Sequence, residues 1–147
     1  MTGSQLAGGI GITPILRAGL GLADGFREVI PDVQTWHLGL RRDENTLKAL
    51  EYYNQLPQRV DLQVCYAVDP MLATGGSAID AITILKLRGI PRISYIGIIA
   101  APYGVLRLTQ THPDVDIYIA ALDEELNDYG FIVPGLGDAG DRQFGTL

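Results

Sequence analysis

The chain has 147 residues, of which 47% are hydrophobic and 19% are charged, and its formal net charge is −6 at pH 7. This composition predicts a soluble globular domain with a real hydrophobic core, and the scattered Lys and Arg residues exclude the basic surface that nucleic-acid binding requires. No apolar stretch is long enough to span a membrane, and residues 1–9 lack a signal-peptide pattern. We therefore expect a cytoplasmic protein with neither nucleic acid nor membrane as a partner.

Apolar runs alternate with helical patterns along the chain, and the runs are nearly continuous. Such runs are typical of parallel strands that helices cover on both faces. This order predicts an α/β fold with a doubly wound sheet, in which ligands bind beyond the carboxyl ends of the strands. The predicted strands are residues 9–15, 33–40, 62–68, 93–100 and 115–122, and the predicted helices are residues 18–29, 45–55, 77–88 and 103–110.

A candidate phosphate-binding loop follows the third predicted strand, in the segment VDPMLATGGS at residues 68–77. Gly75 and Gly76 allow the backbone to turn its N–H groups toward an anion, and Thr74 and Ser77 add hydroxyl donors. The following helix would direct its positive end at the same point. Asp69 stands at the mouth of the loop, placed to accept hydrogen bonds from sugar hydroxyls or to bind a metal through water. The segment therefore predicts a site for a phosphorylated sugar.

Two commoner phosphate motifs do not fit. A Walker A loop needs a lysine after its second glycine, whereas Ser77 follows Gly76 directly. Gly135, Gly137 and Gly140 have the spacing of GxGxxG, but only seven residues follow Gly140. That remainder is too short for the helix and second strand of a dinucleotide-binding fold.

Several other residues have ordinary structural interpretations. Cys65 lies in an apolar run and is expected to be a small core residue. His37 and His112 have no metal-ligand spacing with a second His or Cys, so both are interpreted as structural. The charge run at residues 123–125 predicts the solvated start of a helix.

Five segments in the chain closely resemble the uracil phosphoribosyltransferase family and follow its order. Two of them, DPMLATGGS and PGLGDAGDRxFGT, are together highly specific for that family. The resemblance implies one type I phosphoribosyltransferase domain over residues 1–147, with a mainly parallel sheet and a small hood formed largely by the C-terminal segment. The segments are PILRAGLG at 14–21, RRDENTL at 41–47, VDPMLATGGS at 68–77, HPDVDIYIAALDEELND at 112–128 and GFIVPGLGDAGDRQFGT at 130–146.

The resemblance implies transfer of uracil to 5-phosphoribosyl 1-diphosphate (PRPP), giving UMP and diphosphate in pyrimidine salvage. Mg²⁺ would be the cofactor, bound mainly through PRPP and water. Departure of diphosphate leaves oxocarbenium character on the ribose, so catalysis consists mostly of stabilising the leaving group and positioning the base. A homodimer or higher oligomer is also implied, and GTP is a candidate effector.

The family motifs assign roles to matching residues. Asp69 would hold the ribose hydroxyls, Arg17 and Arg42 would bind the diphosphate, and Asp138 would lie near the Mg–PRPP complex. These four form the implied catalytic set. The implied PRPP contacts are Arg17, Arg42, Asp69, Pro70, Met71, Leu72, Ala73, Thr74, Gly75, Gly76, Ser77 and Asp138. Uracil would be recognised by backbone groups of Val133, Asp138, Ala139 and Gly140.

The chain departs from the family pattern around the PRPP site. Arg41 stands where Tyr is usual, Lys48 and Ala49 where Glu-Pro is usual, and Tyr103 where Glu is usual. The family also has a longer N-terminal segment than residues 1–9. These departures leave an alternative, a catalytically weak protein that binds PRPP, uracil or UMP as a sensor or as the partner of a full-length paralogue. Retention of the acidic and arginine site residues favours the active enzyme, since a scaffold needs none of them.

Overall fold

The computed structural model describes residues 8–42, 49–57 and 60–146, with only the backbone described at residues 41, 42, 49 and 50. In chain order, the elements are β1 (Ile10–Leu16), α1 (Gly19–Val29), β2 (Gln34–Thr35), β3 (Leu38–Arg42), β4 (Ala49–Asn54), β5 (Val64–Val68), β6 (Met71–Leu72), α2 (Gly76–Leu87), β7 (Ile93–Ala100), α3 (Pro102–Thr111), β8 (Asp116–Leu122), β9 (Glu125–Leu126), β10 (Ile132–Val133) and α4 (Ala139–Phe144).

Strands β1 to β8 form one sheet, and β9 and β10 form a separate antiparallel pair. The order across the large sheet is β4-β3-β1-β5-β7, with β6 beside the end of β7, β2 beside β1, and β8 on the other side of β7. Pairing is parallel throughout this sheet except between β3 and β4. Parallel neighbours need crossover connections, and α1, α2 and α3 provide them. The predicted doubly wound, mainly parallel α/β fold is therefore confirmed.

The larger core lies between the sheet and helices α2 and α3. Cys65 and Ala67 of β5 are fully buried there with Ile82 of α2. Tyr66, which stands between them in the strand, packs instead near Ala23 of α1. Because successive strand residues point to opposite faces, helices cover both sides of this strand. The expectation that Cys65 is a core residue is confirmed, and burial raises the pKa of its thiol to about 11.

The predicted helical cover on both faces does not extend to β8. Helix α1 packs mainly against β1 and β5, neither of which is next to β8 in the sheet. Tyr118 and Leu122 of β8 are 53% and 62% exposed, and Ile98 of the neighbouring β7 is 43% exposed. Among the described residues, no helix combines the length and apolar character needed to cross a membrane.

The helix predicted at residues 45–55 is wrong where the structure describes it. Ala49–Asn54 form β4, which pairs antiparallel with β3, while residues 45–48 lie outside the described residues. Tyr53 stands opposite Gly39, and the ring of Tyr52 lies where a side chain on Gly39 would begin. The open edge of β3 supplies hydrogen-bond partners, and tyrosines suit strands, so pairing outweighs the helical pattern.

Two smaller predictions also need correction. The strand predicted at residues 33–40 is divided into β2 and β3, and between them the N–H of Trp36 donates to the carbonyl oxygen of Ile12 at 2.8 Å. The charge run at 123–125 does not begin a helix, because Glu125 belongs to β9 and pairs with Val133 of β10. The remaining predicted elements are confirmed, with small differences at their ends.

Candidate active site

The VDPMLATGGS segment turns at the carboxyl end of β5 and leads into α2. Gly75 adopts φ +79° at the N-cap of α2, a conformation that side chains disfavour. In the described part of the chain, the backbone N–H groups of Thr74, Gly75, Gly76 and Ser77 donate to no other group. They belong to a concavity of about 90 Å³ that is lined by Asp69 and residues 71–78. Open donors at a helix N-terminus suit an anion, so this geometry supports the phosphate site, which stays a prediction.

Helix α3 packs directly against this loop. A Cβ on Gly104 would overlap the carbonyl oxygen of Ala73, so only glycine permits this close approach. Arg107 Nη1 donates a 2.7 Å hydrogen bond to the carbonyl oxygen of Thr74. Sequence reasoning missed Arg107, because nothing in the local pattern connects it with a loop 33 residues earlier.

Asp69 lies directly after β5, beside the phosphate loop. The phenol of Tyr95 donates to the backbone carbonyl oxygen of Asp69 at 3.1 Å, which fixes the backbone there. Burial raises the pKa of the Asp69 carboxyl from 3.8 to about 7. A hydrogen bond from the Met71 backbone lowers this pKa, and the charge of Asp138 raises it. The tertiary structure therefore brings the two predicted acidic residues within electrostatic reach of each other.

Arg17 lies in the turn between β1 and α1, after a cis peptide bond between Leu16 and Arg17. Its Nη2 donates to Asp141 at 2.8 Å and its Nη1 donates to Thr146 Oγ1 at 3.3 Å. The guanidinium also lies 5.8 Å from the ring centroid of Phe144. The side chain is nevertheless 50% exposed. The C-terminal residues thus hold Arg17, which is predicted to bind diphosphate. Part of its guanidinium group is still exposed and can donate to a ligand.

The segment predicted to bind uracil, called the uracil segment below, covers residues 132–144. It forms β10, a turn with a cis bond between Val133 and Pro134, and α4. Helix α4 was not predicted. It begins where Asp138 Oδ1 accepts a 2.9 Å hydrogen bond from the N–H of Asp141. Ala139 and Gly140 are buried, and their N–H groups donate to no other group in the part of the chain that the structure describes.

Asp123 positions the same segment, although sequence reasoning interpreted it as part of a solvated helix start. Its Oδ2 accepts a 3.0 Å hydrogen bond from the N–H of Gly135. Its own N–H donates to the carbonyl oxygen of Ala100 at 2.8 Å, at the end of β7. The carboxylate therefore connects the uracil segment to the main sheet. No local signal reveals this contact, because it depends on the β9–β10 pair.

The remaining predicted residues differ in what the structure says of them. Arg42 ends β3, and its side chain lies outside the described residues. Pro70 is buried, and its carbonyl oxygen accepts hydrogen bonds from the N–H groups of Ile98 and Ile99 at 2.9 and 3.0 Å. Met71 and Leu72 form β6 at the end of β7. This stretch therefore attaches the phosphate loop to the sheet.

A doubly wound parallel sheet with an anion-binding loop and an acidic residue beyond one of its inner strands is the core of a type I phosphoribosyltransferase. The fold is shared with a purine phosphoribosyltransferase from Pyrococcus horikoshii, with a TM-score of 0.64 and 16% identity over 78% of this chain and 71% of that chain. The AQ2163 protein from Aquifex aeolicus is more similar. It has a TM-score of 0.86 and 39% identity over 93% of this chain and 65% of its own.

Sequence comparison identifies the particular family. The uracil phosphoribosyltransferase family model matches residues 1–146. The uracil phosphoribosyltransferase of Roseiflexus sp. (strain RS-1) is 58% identical over 144 residues, which are 98% of this chain and 69% of that protein. The chain therefore belongs to the uracil phosphoribosyltransferase family, which confirms the resemblance found in the sequence. It spans about two thirds of the length of these relatives.

Proposed function

We propose that this chain transfers the 5-phosphoribosyl group of PRPP to uracil, giving UMP and diphosphate. The observation that supports this best is that three partly open donor groups lie together beyond the carboxyl ends of the neighbouring strands β1 and β5. These groups are the phosphate loop, the Arg17 guanidinium and the backbone at the start of α4. Each suits a different part of the reacting pair: the 5′-phosphate, the diphosphate and the base.

The phosphate loop and Asp69 suit the two ends of a ribose 5-phosphate group. The open N–H groups of residues 74–77 would bind the 5′-phosphate, and the positive end of α2 would add to the attraction. Asp69 would accept hydrogen bonds from the ribose hydroxyls. A carboxylate accepts both bonds, whereas a protonated carboxyl group has one oxygen engaged as a donor. The raised pKa of Asp69 therefore makes its ionisation part of substrate binding.

The reaction breaks the bond between C1′ of the ribose and the diphosphate oxygen, and the electron pair leaves with diphosphate. Uracil N1 then bonds to C1′, and the proton on N1 passes to the departing diphosphate. Arg17 would stabilise the charge that develops on the diphosphate, because its planar fork matches two phosphate oxygens. Arg42 is proposed to act on the same leaving group from the end of β3.

Mg²⁺ fits this site as a companion of PRPP. No cluster of three or more His, Cys, Asp or Glu side chains in the described residues could hold a metal ion. Asp69 and Asp138 form a mutually repelling acidic pair that could hold the ion through water, with PRPP oxygens supplying the direct ligands. When bound, Mg²⁺ would neutralise charge on the diphosphate oxygens.

Uracil is proposed to bind to the backbone beside α4. The open N–H groups of Ala139 and Gly140 can donate to its carbonyl oxygens, and the Asp138 backbone adds to this edge. The carbonyl oxygen of Val133 already accepts a 3.2 Å hydrogen bond from Glu124, so a contact with the base N–H would use its second lone pair. A backbone edge suits uracil because both alternate hydrogen-bond donors and acceptors.

Four further statements remain predictions from the sequence and the family resemblance. They are a homodimer or higher oligomer, GTP as an effector, a single catalytic domain over residues 1–147 and a cytoplasmic location.

The direct test is UMP formation by the purified chain alone, with uracil, PRPP and Mg²⁺. Asp69→Asn should reduce turnover at least about 100-fold, because it removes the ionised acceptor. Asp24→Asn is the matched control, since Asp24 pairs with Arg27 on the exposed face of α1. We expect product from uracil but not from cytosine or hypoxanthine. Absence of UMP despite measurable PRPP or UMP binding would instead support the sensor or partner-subunit alternative.

A further inference from the structure

Arg107 makes an unusual contact with the phosphate loop. It lies on α3, is partly buried, and donates from Nη1 to the carbonyl oxygen of Thr74 at 2.7 Å. Its guanidinium stands 5.7 Å from the ring centroid of Tyr103, one helical turn earlier. Among the described residues, no carboxylate lies within ion-pair distance of Arg107. The Thr74 carbonyl oxygen therefore receives a hydrogen bond from a cation that has no acidic partner among the described residues.

This bond acts on the peptide group that the phosphate site uses. The Thr74 carbonyl and the Gly75 N–H belong to the same planar peptide unit, so holding the oxygen fixes the direction of the N–H. A cation at the oxygen also draws electron density from the peptide and strengthens its N–H as a donor. That N–H has no partner in the described part of the chain, and Gly75 lines the concavity of the loop.

The backbones of the phosphate loop and of α3 approach each other closely around this bond. A Cβ on Gly104 would overlap the Ala73 carbonyl oxygen and would lie 2.8 Å from the carbonyl oxygen of Leu72. A Cβ on Gly75 would lie 3.1 Å from the carbonyl oxygen of Gly104. Helix and loop are thus in direct backbone contact, and Arg107 adds a specific bond to that contact.

We propose that Arg107 is a positioning residue for the 5′-phosphate site, which it serves by orienting and polarising the peptide between Thr74 and Gly75. This inference rests on the proposed function, because it takes the loop to be the phosphate site. Arg107 does not need to touch the ligand. Tyr103 supports it by offering its ring face to the guanidinium.

The test is titration of the full chain with ribose 5-phosphate and, separately, with inorganic diphosphate. Arg107→Met keeps an unbranched apolar stem over Tyr103 but removes the charge and the donor. We expect it to weaken ribose 5-phosphate binding about tenfold, as loss of a charged hydrogen bond does, and to change diphosphate binding less than about twofold. Arg107→Lys should restore part of the affinity. Arg27→Met, on the exposed face of α1, is the control.

Steady-state kinetics supply a second readout that general loss of structure would not reproduce. In Arg107→Met, KM for PRPP should rise about tenfold while KM for uracil stays unchanged. Equal weakening of both titrated ligands, or unchanged ribose 5-phosphate binding in Arg107→Met, would overturn the positioning role alone. A wild-type chain that binds neither ribose 5-phosphate nor diphosphate would overturn the proposed function and, with it, this inference.

Discussion

Arg17 and Asp141 form a 2.8 Å ion pair that joins the turn after β1 to the short C-terminal helix α4. Thr146 completes this arrangement by donating to Asp141 Oδ1 at 2.6 Å. The hydrogen bond from Thr146 and then the guanidinium of Arg17 lower the pKa of Asp141, so the carboxylate stays charged. A diphosphate that binds Arg17 must therefore share the guanidinium with an internal anion.

The first prediction follows from this competition. Asp141→Asn should raise the affinity for inorganic diphosphate about threefold at low salt, because it removes a negative charge beside the binding arginine. The Arg17 and Asp141 side chains are 50% and 32% exposed, so solvent screens their attraction and the stability of the fold should change little. Titration at two salt concentrations measures the effect, with Asp114→Asn as a control, since that residue pairs with Lys86 elsewhere. Weaker diphosphate binding would show that Asp141 orients Arg17 rather than competing for it.

The second prediction concerns the pH dependence of substrate binding. Because the pKa of Asp69 is raised to about 7, this group is largely protonated below that pH and ionised above it. KM for PRPP should therefore fall as the pH rises from 6 to 8. Asp69→Asn should remove this step, although the phosphate groups of PRPP still titrate, so the difference between the two pH profiles isolates Asp69. Matching profiles would exclude an ionisation of Asp69 from PRPP binding.

The third prediction applies the same shift to stability without ligand. The folded pKa of Asp69 lies above its unfolded value, so the folded state binds the proton more tightly. The contribution of Asp69 to the free energy of unfolding is full below about pH 4 and is lost as the pH rises through about 7. In thermal unfolding, the Tm of Asp69→Asn relative to that of wild type should therefore be higher at pH 8 than at pH 5. A pH-independent difference between their Tm values would contradict the buried environment of the carboxyl group.

The fourth prediction compares two glycines within helices. Gly104→Ala should displace the phosphate loop, because the new Cβ would overlap the Ala73 carbonyl oxygen, and ribose 5-phosphate binding should fall at least about tenfold. Gly25→Ala in α1 meets no atom within 4 Å. It should instead raise the free energy of unfolding by about 0.5–1 kcal/mol, through better helix propensity. Equal effects of the two changes on binding would show that the contact between α3 and the loop is unimportant.

The fifth prediction concerns Asp123. Asp123→Ala removes the acceptor for the Gly135 N–H, so the uracil segment loses its side-chain bond to the end of β8. KM for uracil should rise about tenfold while ribose 5-phosphate binding stays unchanged, because the phosphate loop follows a different strand. Asp123→Asn retains an oxygen acceptor and should lose less. A rise in KM for PRPP alone would place the effect of Asp123 elsewhere.

The phosphate loop shows how far local sequence can define a site. Gly75 needs a positive φ, and the following apolar helix needs an N-terminus, so both features are visible in neighbouring residues. Asp69 could be placed at the loop for the same reason. Its raised pKa could not be predicted, because it depends on burial and on the approach of Asp138 from the C-terminal segment.

The error at β4 has a related cause. Residues 49–54 fit a helical pattern when considered alone, yet β3 offers a pairing partner to each of them except Tyr52, where the register shifts. Whether a segment forms a strand depends on the strand next to it as much as on its own side chains. The edge position of β8 was likewise not evident from its apolar sequence, since exposure depends on which helices reach it.

Local patterns in the chain were enough to predict the order of most strands and helices, the phosphate loop and the family. Apolar periodicity, glycine positions and motif residues can all be recognised without knowing the fold. Three contacts could be found only in the folded chain: Arg107 donates to Thr74, Asp123 accepts from Gly135, and Arg17 pairs with Asp141. These contacts join residues 33, 12 and 124 positions apart. Their existence depends on how the sheet, the small β9–β10 pair and the C-terminal helix pack, and side-chain hydrogen bonds form only after that packing has set the distances.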